Sequence, residues 1–182
     1  DAARFEALGA QAVAVMGNLK FDQALSPALH EQGKAWRATQ QRPVVLAAST
    51  REGEEALLLA AWQVRCPAAL LVIVPRHPQR FAEVSALVAT QGLQGKRRSE
   101  SLPDAASAVW IGDSMGEMGA YYAMADVVII GGSLLDYGSQ NLIEACAAGV
   151  PVVLGPSTYN FAEASSEALR LGAAQSVADA AA

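Results

Sequence analysis

Short apolar runs alternate with helix-patterned segments along the whole chain, and nothing else in the sequence restricts the fold so tightly. The runs are "QAVAVMG" (Gln11–Gly17), "PVVLAAS" (Pro43–Ser49), "AALLVIVP" (Ala68–Pro75), "AVWIGD" (Ala108–Asp113), "DVVIIGG" (Asp126–Gly132), "PVVLG" (Pro151–Gly155) and "AAQSV" (Ala173–Val177). Between them lie "SPALHEQGKAWRATQ", "TREGEEALLLAAWQV", "PQRFAEVSALVATQG", "SMGEMGAYYAMA", "SQNLIEACAAG" and "YNFAEASSEALRLG". Strands this short, joined by helical crossovers, pair in parallel, and a parallel sheet covered on both faces reads as near-continuous Val, Ile, Leu and Ala. The expected fold is therefore α/β, a doubly wound, mostly parallel sheet with helices on both faces.

Local signals agree with these boundaries. Ser26 stands where an N-cap belongs, with Pro27 at the first helical position. Glu54 and Glu55 place negative charge in a first helical turn, and Gly92 closes the helix before it. The segment "GLQGKRRSESLPDAAS" reads as loop with a short edge strand, and its basic "GKRRSE" as a solvated turn.

Composition removes several function classes. The 182 residues suit one domain, and the 52% hydrophobic content lies mostly in Ala, Val and Leu. No apolar run nears the roughly 18 residues of a membrane span. A net charge of −5 offers no attraction to nucleic acid. Cys66 and Cys146 lack metal or redox spacing and read as buried free thiols. Two separated histidines and no paired acidic motif give no metal cluster.

Ligands of doubly wound sheets bind outside the carboxyl ends of the strands. Here those ends carry "STREGEE", "PRHPQR", "GDSMGEM", "GGSLLDYGSQN" and "GPSTYN", which are polar and glycine-rich. Asn141 and Glu144 stand three apart at a helix start. That spacing suits a capping pair, and equally a nucleotide whose phosphate meets free N–H groups while Glu144 accepts from ribose hydroxyls. Gly131 and Gly132 admit a close approach of strand and helix, or of ligand and backbone. Arg76 ends an apolar strand, where it suits either a neighbouring carboxylate or a phosphate. Asp113 reads equally as an N-cap. For Ser49 and Thr50 capping is the simpler reading, and Tyr121, Tyr122 and Trp62 read as core.

From "GNLKFD" (Gly17–Asp22) through "STREGEE", "VPRHPQRF", "GDSMGEM" and "GGSLLDYGSQNLIEA" to "GPSTYNF", the sequence resembles the carboxyl-terminal domain of the 3-deoxy-D-manno-octulosonic acid (Kdo) transferases. The resemblance implies one half of a GT-B fold, Rossmann-like, that binds the CMP portion of the donor CMP-Kdo. It implies an inverting transfer of Kdo to a lipid A precursor in lipopolysaccharide biosynthesis, without a metal cofactor. The base, the acceptor site and the membrane association would lie in an amino-terminal domain, at the cytoplasmic face of the bacterial inner membrane. On that reading residues 1–16 end the interdomain region and enter the first strand, residues 17–182 form the donor domain, and the fragment alone is inactive.

The CMP contacts implied are Pro75, Arg76, Met115, Gly116, Glu117, Gly132, Ser133, Asn141, Leu142, Ile143 and Glu144, with Ser49, Thr50, His77 and Gln140 as further candidates. Two motifs depart from the family pattern. Gly138-Ser139-Gln140-Asn141 replaces Gly-Gly-His-Asn, and Arg51 stands where many relatives have histidine. Two other functions fit the residues: a GT-B transferase or epimerase using a UDP-sugar, and a non-catalytic Rossmann-like module. Titration with CMP, CDP, UMP and UDP separates the three.

Overall fold

A computed structural model describes residues 2–14, 26–66 and 68–181. Among the described residues seven strands form one sheet: β1 (Val44–Thr50), β2 (Leu70–Pro75), β3 (Gly95–Arg97), β4 (Val109–Ile111), β5 (Val127–Ile130), β6 (Val152–Leu154) and β7 (Ala174–Ser176). Their order is β3-β4-β2-β1-β5-β6-β7, and every described pairing is parallel. The helices are α1 (Ala2–Ala7), α2 (Pro27–Ala38), α3 (Glu54–Arg65), α4 (Phe81–Thr90), α5 (Met118–Met124), α6 (Ile143–Ala147) and α7 (Ala162–Arg170).

The expected doubly wound parallel sheet is thus present, with every strand pairing among the described residues parallel. The strand expected over Gln11–Gly17 is not formed over Gln11–Ala14, and its remainder lies outside the described residues, as does "GNLKFD".

Side chains alternate across the central strands and divide the apolar interior into two cores. Leu46, Val72, Val74, Trp110 and Val128 face one core, which Trp36 of α2, Tyr121 and Tyr122 of α5 and Ala164 and Ala168 of α7 complete. Ala47, Leu71, Ile73, Val109 and Ile111 face the other, under Leu58, Leu59 and Trp62 of α3 and Val84 and Val88 of α4. Because both faces are covered, Leu70–Pro75 is buried at every position. That two-sided burial is why the strand sequences show no polar alternation.

Helix ends follow the local chemistry in part. Ser26 caps α2, its Oγ accepting from Leu29 N at 3.5 Å, with Pro27 at the first turn. α2 then crosses α5 at backbone contact. A Cβ on Gly33 would lie 2.2 Å from the Ala120 carbonyl oxygen. Neither Ser49 nor Thr50 caps α3. Its N-cap is Gly53 at φ +88°, and Thr50 is buried with its hydroxyl donating to Glu55 at 2.6 Å. Cys66 is exposed and Cys146 half-buried, so the expected burial of both thiols is corrected. Each lies near a helix end, where covering elements thin out.

β1 is the centre of the winding. The chain runs outward from it through β2 to the edge strand β3, steps back to β4, then returns to place β5 on its other side. Asp126 fastens that return: its backbone N–H donates to Val44 O at 2.8 Å, its Oδ2 accepts from Val44 N at 2.8 Å, and Arg37 pairs with it at 3.2 Å. The winding reverses between β1 and β5, which opens a crevice at their carboxyl ends.

Candidate functional site

A cleft of about 390 Å³ occupies that crevice. Ser49 ends β1 beside it, Val74, Pro75 and Arg76 end β2, and Ser114, Met115, Gly116, Glu117 and Met118 lead from β4 into α5. Gln140, Asn141 and Glu144 follow β5, Phe161 follows β6, and Tyr121 and Tyr122 form part of the lining.

Of the residues expected at a ligand site, the fold brings together Pro75, Arg76, Met115, Gly116, Glu117, Asn141 and Glu144, with Ser49 and Gln140. Gly132, Ser133, Leu142, Ile143, Thr50 and His77 are not part of the lining. Leu142 and Ile143 are buried in the core. Ser133 is fully buried, its hydroxyl donating to Ile130 O at 2.5 Å and accepting from Gly155 N at 2.8 Å. Val74, Ser114, Met118, Phe161 and the two tyrosines line the cleft without having been singled out as contacts. Met118, Tyr121 and Tyr122 share one helical stripe just after the "GDSMGEM" loop, and that spacing was the available signal. Tyr121 and Tyr122 are core residues too, only 1% and 3% exposed, so they are a buried floor.

Two crossings explain the glycines at the strand ends. A Cβ on Gly131 would lie 2.3 Å from Ser49 O, and one on Gly155 would lie 2.2 Å from Ser133 O. Only glycine lets one loop backbone pass directly over the next. The loop between β5 and α6 then folds back on the glycine pair, with Ser139 N donating to Gly132 O at 2.6 Å and Gln140 N to Gly131 O at 2.9 Å.

Beneath this loop lies a residue that sequence reasoning treated only as a helix-dipole partner. Glu54 is completely buried. Its Oε2 accepts from Arg51 N at 2.8 Å and Gly132 N at 2.7 Å, and its Oε1 from Leu134 N at 3.0 Å. One carboxylate thereby ties the start of α3 to the loop that carries Gln140–Glu144. Neighbouring Glu55, also fully buried, pairs with Arg80 Nη1 at 2.6 Å and holds the turn after β2 against α3.

Asn141 and Glu144 form a side-chain clamp. Asn141 Oδ1 accepts from Ile143 N at 3.0 Å, while its Nδ2 donates to Glu144 Oε1 at 3.0 Å. Glu144 therefore returns to the Asn141 side chain instead of a backbone N–H, and its Oε2 faces no recorded protein donor among the described residues. α6 itself is five residues long, so its dipole is small. Arg76 makes one recorded side-chain contact, Nε to Gln140 Oε1 at 3.2 Å, and no carboxylate lies within ion-pair distance among the described residues. Its outer guanidinium nitrogens make no hydrogen bond to the described residues.

Glu117 and Asp113 are held from the sheet edge. Glu117 Oε1 accepts from Gln32 Nε2 at 2.8 Å and Arg98 Nη2 at 3.0 Å. Burial alone would raise its pKa, but hydrogen bonds from Ser114 and Gln32 and the charge of Arg98 hold it below the ordinary carboxylate value. Asp113 is no N-cap: it accepts from Ser99 N at 2.8 Å and Ser99 Oγ at 2.6 Å, beside Arg97 at 3.4 Å. The basic run is correspondingly not a solvated turn, since Arg97 and Arg98 are half-buried against these acids. Tyr121 pairs with Ser114 Oγ at 2.9 Å, and burial pushes its phenol up to about 12. No group of three or more His, Cys, Asp or Glu suited to a metal occurs among the described residues.

No protein-family model matches the chain. It is 47% identical over 99% of its length to a 3-deoxy-D-manno-octulosonic acid transferase of Bordetella pertussis, of which it spans 44%. It is 37% identical over 82% of its length to the transferase of Haemophilus influenzae, spanning 36% of that protein. The chain therefore spans less than half of the curated relatives it matches. Among solved structures, the C-terminal CMP-Kdo binding domain of WaaA from Acinetobacter baumannii superposes with a TM-score of 0.81 at 32% identity, over 86% of this chain and 85% of that one. HepE of Anabaena, solved with UDP and glucose, shares the fold alone, with a TM-score of 0.51 and 15% identity over 88% of this chain and 43% of that one. With the parallel winding and the cleft at its reversal point, these matches settle the kinship: the chain belongs to the 3-deoxy-D-manno-octulosonic acid transferase family and corresponds to its carboxyl-terminal, Rossmann-like domain.

Proposed function

We propose that the cleft binds the CMP portion of CMP-Kdo and that the chain is the donor half of a transferase moving Kdo to a lipid A precursor. The observation that carries this is the meeting of Arg76, Asn141 and Glu144 in one cleft at the winding reversal, in a domain whose solved relative is described as CMP-Kdo binding. Arg76, steered by Gln140 through its Nε, offers its free guanidinium edge to the phosphate. Gln140, where many relatives have histidine, thus braces Arg76 at 3.2 Å. Glu144, oriented by Asn141, keeps an oxygen for ribose hydroxyls. The buried floor of Tyr121 and Tyr122 gives the pyrimidine an apolar surface.

In the transfer, bond breaking leaves negative charge on the CMP phosphate, and a guanidinium already in place stabilises that charge as it develops. This division assigns leaving-group stabilisation to Arg76, and on this reading the step needs no metal. The base that deprotonates the acceptor, the acceptor site and the attachment to the cytoplasmic face of the inner membrane belong to the amino-terminal half of the whole enzyme. No helix among the described residues is long and apolar enough to cross a membrane.

Calorimetric titration with CMP, CDP, UMP and UDP tests the reading. The expected result is binding of CMP in preference to the uridine nucleotides, unchanged by EDTA, with no Kdo transfer by the isolated chain. Preference for UDP would refute the donor assignment, and turnover by the isolated chain would refute the division of labour.

A further inference from the structure

The basic run after β3 stands behind the cleft wall. Arg98 donates to Glu117 at 3.0 Å, and its guanidinium lies 4.9 Å over the Trp36 ring. Trp36 packs edge-on against Trp110 at 5.1 Å and tilted against Tyr121 at 5.3 Å, so Arg98 rests on a buried aromatic block. Its backbone N–H is fixed to Ile111 O at 2.8 Å. Glu117 is in turn held by Gln32 of α2 at 2.8 Å. Arg98 itself does not line the cleft, whereas Glu117 does.

The charge pattern gives this arrangement a purpose. The lining residues include two carboxylates, Glu117 and Glu144, against one cation, Arg76. An anionic nucleotide entering that space would meet a net negative wall unless one acid were neutralised from behind. We propose that Arg98 is a positioning residue for nucleotide binding: by pairing with Glu117 from outside the lining, it cancels and turns aside that carboxylate, so that the cleft accepts a ligand carrying phosphate. The proposal rests on the reading that the cleft holds CMP.

A charge-cancelling role and a packing role separate on two comparisons. Affinities for CMP and for uncharged cytidine are measured by calorimetry on the parent, Arg98→Met, Glu117→Gln and the double variant, with melting curves to establish folding. Arg98→Met keeps much of the apolar stem over Trp36 and leaves Glu117 uncompensated. It should lose roughly tenfold in CMP affinity while cytidine changes by about twofold or less, within the range of couplings between contacting charged residues. Adding Glu117→Gln should then restore CMP binding to within about threefold of Glu117→Gln alone. Should Arg98→Met melt below the assay temperature, Arg98→Gln carries the same comparison. Equal losses for CMP and cytidine, or losses that simply multiply in the double variant, would overturn the proposal. A parent that binds CMP and an Arg98→Met protein that binds it equally well would overturn this inference alone. A parent that binds no CMP would overturn the donor reading with it.

Discussion

Glu54→Gln is the most informative single change to the scaffold beneath the site. The wild-type carboxylate satisfies three backbone N–H groups, two on Oε2 and one on Oε1, and is fully buried. Glutamine has the same shape but one acceptor oxygen. If that oxygen keeps Arg51 and Gly132, the amide NH2 is forced against Leu134 N, and a buried donor is stranded. An unsatisfied buried donor costs about 1–3 kcal/mol, and the two remaining bonds lose their charge assistance. The sum is about 2–4 kcal/mol, a large part of the ~5–15 kcal/mol that holds a domain folded. For a chain of this size that corresponds to a fall in Tm of roughly 4–16 °C. Urea unfolding followed by circular dichroism measures it, with Glu52→Gln, an exposed neighbour, as control. Because Gly132 and Leu134 begin the loop that carries Gln140–Glu144, amide exchange in that loop should also quicken. A Glu54→Gln protein as stable as its parent would refute the reasoning.

Three further outcomes follow from the geometry. Arg76→Lys should bind CMP almost as poorly as Arg76→Ala, each losing about 1.5–3 kcal/mol, because a lysine keeps the charge but not the planar fork; near-parental binding by Arg76→Ala in calorimetry would remove Arg76 from the site. Gly33→Ala should destabilise by about 1–3 kcal/mol despite a helix-propensity gain near 1 kcal/mol, since its Cβ would meet Ala120 O at 2.2 Å; a raised Tm would contradict the crossing. The Tyr121 phenol is raised to about 12, so the folded state holds that proton more tightly than the unfolded chain does. Its contribution is complete below about pH 10 and is lost as pH climbs toward 12; Tyr121→Phe should flatten that part of the stability profile.

How much of this was legible in the sequence differs from element to element. The alternation of apolar runs and helical segments specified the layers, because a two-sided core demands strands without polar alternation, and Leu70–Pro75 is buried throughout. Arg76 was findable because it directly follows β2, and Glu117, Asn141 and Glu144 because they stand at helix starts in the loops after β4 and β5. The roles of Glu54 and Arg98 were not. Each acts through partners far along the chain, Glu54 on Gly132 and Arg98 on Glu117, and no local pattern distinguishes such an acid from a dipole partner or such a base from a solvated turn. The protein contacts of Gly132 and Ser133 were hidden for the same reason: Gly132 N donates to Glu54, and Ser133 Oγ accepts from Gly155 N.

The return of β5 to the side of β1 also sets a clock on synthesis. Val44 and Asp126, which fasten the two strands, are 82 residues apart. At ~5–20 residues per second a ribosome takes roughly 4–16 s to cover that distance. Once Leu70–Pro75 has been made, β1 has its neighbour β2 on one side and, until Asp126 follows, an open row of amides and carbonyls on the other. Such an edge is a template for any other extended chain nearby. The nascent domain therefore passes through a half-sheet stage in which its central strand serves as its border, and slowed translation between Pro75 and Asp126 should increase misassembly more than the same pause after Ile130.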